Sequence, residues 1–197
     1  MIMPITYTNR KSKTYTLCQG RTQKGVVRYF FSPDPEGQTV IDHIPTGYEI
    51  RENVNGQVTL SKKRPQLIRP QERRAVEQAI SRHPKAKNYR VDVKDKHIIV
   101  FENISPSLDT ILGILENFVP LSESRREALE AKEAQFSQFS PVIRFELADP
   151  ETRGYHIERM GYTGHGGWRS LTHWGDIETL ADEIIPLLGT DGFFELW

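Results

Sequence analysis

Cysteine is nearly absent: Cys18 stands alone among 197 residues. An intrachain disulfide is therefore impossible, and a thiolate zinc cluster lacks its ligands. No apolar run approaches the ~20 residues that a membrane helix needs. The opening Met1-Ile-Met-Pro-Ile-Thr-Tyr7 has no basic stretch leading into an apolar one, so neither a secretory signal nor a membrane partner is expected. With a single thiol, the cytoplasm is the simplest expected compartment. The six histidines are His43, His83, His97, His156, His165 and His173; none forms a His-x-x-x-His or Cys/His pair. No Gly-x-Ser-x-Gly elbow and no kinase set occurs. No metal and no cofactor are expected on these grounds. Acidic residues are missing from the first 33 positions, which hold six Lys or Arg before Asp34.

Hydrophobic residues make up 37% and charged residues 26% of the chain. That length supports one moderate domain or two small ones, with enough chain to bury a core. The formal charge is zero, 26 basic against 26 acidic residues, but the zero is unevenly spread. Residues 1–100 hold 19 basic and 9 acidic residues, a balance of +10, and residues 101–197 hold 7 and 17, a balance of −10. A basic half is a footprint for nucleic acid. Two complementary halves could equally neutralise one another, or join neighbouring copies head to tail.

The periodicity predicts an α+β fold. Tyr15 and Leu17, then Val27, Tyr29 and Phe31, alternate with polar or small residues, as in an N-terminal β-hairpin closed around Gly25. A second hairpin is predicted at Asn55-Gly56. Pro70 and Glu72 suit a first helical turn, and the spacing of Val76, Ala79 and Ile80 predicts a helix over 70–83, stopped by Pro84. A hairpin turning at Asp95-Lys96 follows; its return run, Ile98 to Phe101, is apolar throughout and reads as a strand covered on both faces. Helices are predicted over Leu108–Val119 and from Ser122 to about Gln138, the second with a capping box at Ser124 and Glu127. Two strands around Asp149-Pro-Glu-Thr152 come next. Ile177, Leu180, Ala181, Ile184, Ile185 and Leu188 then give the clearest helical stripe, with Asp176 as cap and a kink at Pro186. The expected segments are a basic β-hairpin region (1–65), an α-β-β unit (66–103), a helical segment (104–140) and an acidic C-terminal β-β-α unit (141–197).

The candidate functional residues are cationic. Arg10, Lys11, Lys13, Arg21, Lys24 and Arg28 interleave with Tyr7, Tyr15, Tyr29, Phe30 and Phe31. Cations meet phosphates, aromatic faces stack unpaired bases, and a two-stranded ribbon can enter a groove. Lys62, Lys63, Arg64, Arg74 and Arg82 extend the same sign, within a 62–96 stretch of twelve basic and four acidic residues. An ordinary solvated face explains such runs equally, and Arg73–Glu77 is a plain i,i+4 pair. The Gly-rich Gly161–Trp168 loop, with His165, matches neither a phosphate loop nor a dinucleotide fingerprint, and reads as a connection anchored by Trp168. Asp92-Val93-Lys94 has the Asp-x-Lys form of metal-dependent nuclease strands, although no second acid on a preceding strand is evident.

Thr16-Leu-Cys-Gln-Gly20, Lys24-Gly-Val-Val-Arg-Tyr-Phe-Phe31, Gly47-Tyr-Glu-Ile50 with Asn55-Gly56, Arg82-His-Pro-Lys-Ala-Lys-Asn-Tyr-Arg-Val91 and the terminal Gly192-Phe-Phe-Glu195 resemble a group of bacterial hypothetical proteins without an assigned activity. The resemblance spans most of the chain and implies a bacterial or phage-like origin, with no chemistry attached. The leading expectation is a non-enzymatic protein whose basic half binds DNA or RNA phosphates and whose acidic half faces a protein partner or a second copy. The alternatives are an interaction or self-assembling module built on the opposite charges, and a metal-dependent nuclease-like enzyme.

Overall fold

Period-two patterning dominates the chain, and most of the described residues are strand or turn. The computed structural model describes residues 3–106, 122–125, 133, 135–161 and 167–196. The chain divides into two units: Met1–Lys63 with Ile104–Gln138, and Arg64–Asn103 with Phe139–Trp197. The expected Leu108–Val119 helix, most of the 122–138 helix with the Glu127 arm of its capping box, and His165 lie outside the described residues. The class is α+β.

In the first unit, β1 (Thr6–Thr8), β2 (Thr14–Arg21) and β3 (Val27–Ser32) form an antiparallel sheet, and β4 (Thr39–Val40) also pairs with β2. The hairpin of β5 (Tyr48–Glu52) and β6 (Val58–Lys62) pairs separately. Two asparagines organise the turns. The Asn9 carboxamide oxygen accepts the N–H groups of Lys11 and Lys13 at 3.0 and 2.9 Å, and its nitrogen donates to the Gly56 carbonyl. Asn53 repeats the device, accepting from Asn55 and Gln57, each at 3.0 Å. Such side-chain bonds fix a loop without a ladder. Asn9 is buried with all three of these bonds made, so it costs little to bury and ties the two turns together. Leu17 and Cys18 are wholly buried, and Tyr29 meets Tyr48 edge to face at 5.8 Å.

The second unit is a five-stranded antiparallel sheet in the order β11-β10-β9-β8-β7. Its strands are β7 (Tyr89–Lys94), β8 (His97–Asn103), β9 (Phe139–Asp149), β10 (Gly154–Gly161) and β11 (Gly167–Gly175). Its helices are α1 (Pro70–Ser81), α2 (Ile177–Ile184) and the short α3 (Asp191–Phe194). Ile98, Val100, Ile143, Phe145, Tyr155 and Ile157 form one sheet face and share a core with Val76, Ile80, Leu180 and Ile184 of α1 and α2. Each such side chain contributes about 1.5–3 kcal/mol by leaving water. Asp176 caps α2 by accepting from Thr179 N–H at 2.9 Å, and Pro186 turns its end into a 3₁₀ segment, Ile185–Leu187.

Three local features differ from the sequence reading. The first helix ends at Ser81, and Arg82 closes it as C-cap. The apolar run of β8 is not covered alike on both faces: Ile98 and Val100 are fully buried, while Ile99 and Phe101 are half-buried. The C-terminal segment holds a third strand, β11, ahead of the helix. Trp168, Ser170, Thr172 and Trp174 take its outward positions while polar Arg169 and His173 flank Leu171 on the other face, so it lacks apolar alternation; as an edge strand it pairs on one side only, with a bulge at His156/Glu158.

Candidate nucleic-acid interface

The eleven predicted cations are divided between the two units. Three groups emerge, two in the first unit and one in the second.

The first group sits where β2 turns into β3. Gly25 adopts φ +76°, the left-handed conformation that closes this loop. Its N–H donates to the Thr22 carbonyl, and Thr22 N–H donates to the Val26 carbonyl. Every residue from Arg21 to Arg28 is exposed, and none is acidic. Strand register puts Arg21 opposite Val27 and Arg28 opposite Gly20. Arg21 and Arg28 therefore point to opposite faces of the ribbon, with Lys24 in the turn between them. The Arg28 guanidinium lies 5.1 Å from the Phe30 ring centroid, and Phe30 fills the space beside the side-chain-free Gly20. Lys62 pairs across from Tyr48, whose ring touches Tyr29, so Lys62 and Lys63 belong to this same end of the unit. Among the described residues none of these five cations has an ion-pair partner. Val26 and Val27 are 62% and 41% exposed in the same tip.

The second group, Arg10, Lys11 and Lys13, occupies the β1–β2 turn at the other end. Arg10 is consumed by Glu52, to which its side chain and its backbone N–H both donate, at 2.8 and 2.9 Å. Burial pushes the Glu52 carboxyl up, but the bonds from Arg10 and Tyr7 outweigh it and hold the group below the usual glutamate range. Lys11 donates from Nζ to the Ser137 carbonyl at 2.9 Å. Lys13 lies 5.7 Å from the Tyr15 ring centroid and is without an ion pair among the described residues.

The third group, in the second unit, is scattered. Arg64 pairs with Asp95 at 3.0 Å and Arg82 with Asp182, while Arg74 is exposed on α1. Exposed pairs like these are worth little in stability, and they cancel the charge that made the run conspicuous.

The units also redistribute the charge. Met1–Lys63 with Ile104–Gln138 carries 12 basic and 11 acidic residues, and the remainder carries 14 and 15. The +10 and −10 halves thus become +1 and −1, because the acidic 104–138 segment belongs with the basic hairpins and the basic 64–103 segment belongs with the acidic C-terminal 139–197 segment.

Sequence reasoning did not anticipate the sheet face of the second unit that lies opposite the core. Register places Lys94, His97, Glu146, His156 and Trp174 in one row across five strands, and Asp92, Ile99, Arg144, Glu158 and Ser170 in the next. Asp92 shares its row with Glu158 and Lys94 shares its row with Glu146, but these acids lie three and two strands away across the sheet. His97, Glu146 and Glu158 bring three ligand-type atoms within 4.8 Å of one another and are the residues that could hold a metal ion. Both carboxylates are already engaged, Glu146 with Lys96 and Glu158 with Arg144, whose guanidinium stacks 4.4 Å from the Trp168 ring centroid. The Lys96 ammonium, bonded to Glu146, more than offsets burial and keeps that carboxyl below its ordinary range. Two anions balanced by two cations make a neutral set with little pull on a dication. The period-two pattern of β9 and β10 signals that these side chains share a face, but the pairing order does not follow from it.

Among the described residues, no helix is long and apolar enough to cross a membrane. Comparison of the chain with protein-family models, with curated proteins and with solved structures gives no match.

Proposed function

We propose that this protein associates with nucleic acid through the β2–β3 tip of its first unit, where Arg21, Lys24 and Arg28, with Lys62 and Lys63 at the same end, contact phosphates. One observation carries the reading: eight consecutive exposed residues, Arg21 to Arg28, present three cations and no acid. Cations without anionic partners hold condensed phosphate charge most effectively, because no salt bridge must first be broken. Arginines on the two faces of one ribbon can reach both walls of a groove, and exposed Val26 and Val27 offer apolar contact at its floor. The reading rests on this local cluster. It does not rest on the basic half of the chain, whose charge is offset within the two units by the acidic segments grouped with it.

The test is fluorescence anisotropy with labelled duplex DNA, single-stranded DNA and RNA at 50 and 200 mM salt, magnitudes chosen for the steep salt response of phosphate contacts. Binding that weakens with salt is expected, and Lys24→Ala and Arg28→Ala each reduce the salt slope by about 1. Absence of binding at low salt, or binding indifferent to salt, overturns the reading.

A further inference from the structure

At the opposite end of the first unit, the β1–β2 and β5–β6 turns enclose a pocket of about 340 Å³. The volume is at the lower end of the range for small-ligand sites. Side-chain hydrogen bonds order the two turns. Asn9 bridges the two turns, Asn53 closes the second, and Gly56 at φ +76° leaves room where a Cβ would stand 3.0 Å from Asn9 Nδ2 and 3.1 Å from Lys11 Cγ. Its lining combines three kinds of group. Lys13 supplies an ammonium without an ion pair among the described residues. Tyr15 and Phe136 supply aromatic faces, and Phe136 is 72% exposed. Asn55, Gln57 and Gln135 add amides, of which Gln57 already accepts from Asn53 Nδ2 at 3.1 Å and keeps its own donors. No carboxylate is among the described residues lining it. Glu52, the nearby acid on β5, is taken up by Arg10 and Tyr7.

We infer that this pocket binds an unpaired nucleotide of a single strand, with the base against the aromatic lining and the phosphate at Lys13; the inference rests on the nucleic-acid reading above. Each part of a nucleotide finds its chemical match. The base has a π-face for Tyr15 or Phe136 and an edge of donors and acceptors for the amides, and the phosphate has an ammonium that is without an ion pair among the described residues. A paired base offers neither its faces nor its pairing edge, so the pocket discriminates for single strands. The tip is sequence-tolerant and duplex-compatible; the pocket lies at the far end of β2, about 25 Å away for an eight-residue strand.

The experiment compares a labelled 12-nucleotide oligothymidylate and the corresponding duplex by anisotropy, using the full chain and its Phe136→Ala, Lys13→Ala and Lys24→Ala variants. A lost base–aromatic stack lowers affinity about tenfold. Phe136→Ala and Lys13→Ala are therefore expected to weaken the single strand by about that factor while duplex binding is unchanged. Lys24→Ala is expected to weaken both. Phe136 is so exposed that its removal leaves the fold intact, which a thermal melt verifies. If Phe136→Ala and Lys13→Ala leave single-strand affinity unchanged while Lys24→Ala lowers binding, the pocket inference falls and the tip reading stands. If the wild-type chain binds neither probe, the tip reading fails and the pocket with it.

Discussion

Glu72 shows how one residue serves two levels of structure. At the start of α1 its carboxylate accepts the Arg69 N–H at 2.6 Å, which caps the helix, and it also receives Arg153 at 2.7 and 2.5 Å from the turn just before β10. Only 6% of its side chain is exposed, so removing it strands a largely buried guanidinium. Glu72→Ala is expected to cost about 3 kcal/mol in urea unfolding, the scale of breaking a buried ion pair. Burial pushes this carboxyl up, but Arg153 and the Arg69 N–H outweigh it, leaving it below the ordinary glutamate value of 4.5. Glu52 and Glu146 are depressed as well. A group depressed on folding contributes stability above its unfolded value and loses it as pH falls through the folded one. Thermal stability should therefore decline as pH drops below about 4.5, and Glu72→Gln should flatten that decline. Glu72 was legible as a helix-start residue because capping is local. Its bond to Arg153, 81 positions away, was not.

Among elements, α2 and β11 lie at opposite ends of legibility. The α2 stripe faces the core as its spacing predicts, and Ile184→Ala is expected to destabilise by about 2–5 kcal/mol in the same unfolding assay. The next strand back, β11, carries Trp168, Ser170, Thr172 and Trp174 on the face away from the core. Only its pairing with β10 reveals it as a strand. Its fit is close: a Cβ on Gly154 would lie 2.2 Å from Trp174 Cζ2, and the indole meets His156 edge to face with centroids 4.5 Å apart. Gly154→Ala should push the indole off this edge at a cost of about 1–3 kcal/mol, seen as a shifted tryptophan emission together with a lower unfolding midpoint.

For the molecule as a whole, the charge count bears on how copies would associate. Halves of +10 and −10 would favour salt-sensitive head-to-tail assembly, but the compact units carry only +1 and −1. Sedimentation velocity at 50 and 500 mM salt is therefore expected to give one mass, since units this close to neutral have no long-range field for salt to screen. A mass that falls with added salt would restore the self-assembly alternative. Nucleic-acid binding is different in kind, because it depends on the local Arg21–Arg28 tip, whose exposure the net charge does not describe.

The sequence by itself determined what is local. The α+β class, the hairpin turns, the limits of α1 to within two residues, the cap and apolar face of α2, and the acid-free cationic run at Arg21–Arg28 all follow from periodicity, turn chemistry and composition. Only the tertiary structure decided which cations remain without anions. It paired Arg10 with Glu52, Arg64 with Asp95 and Arg82 with Asp182, brought His97, Glu146 and Glu158 together, and assigned the acidic 104–138 segment to the unit of the basic hairpins. The reason is physical: capping, turns and periodicity act within a few residues, whereas neutralisation depends on which distant strands pair, and that is settled by the shared burial of apolar faces.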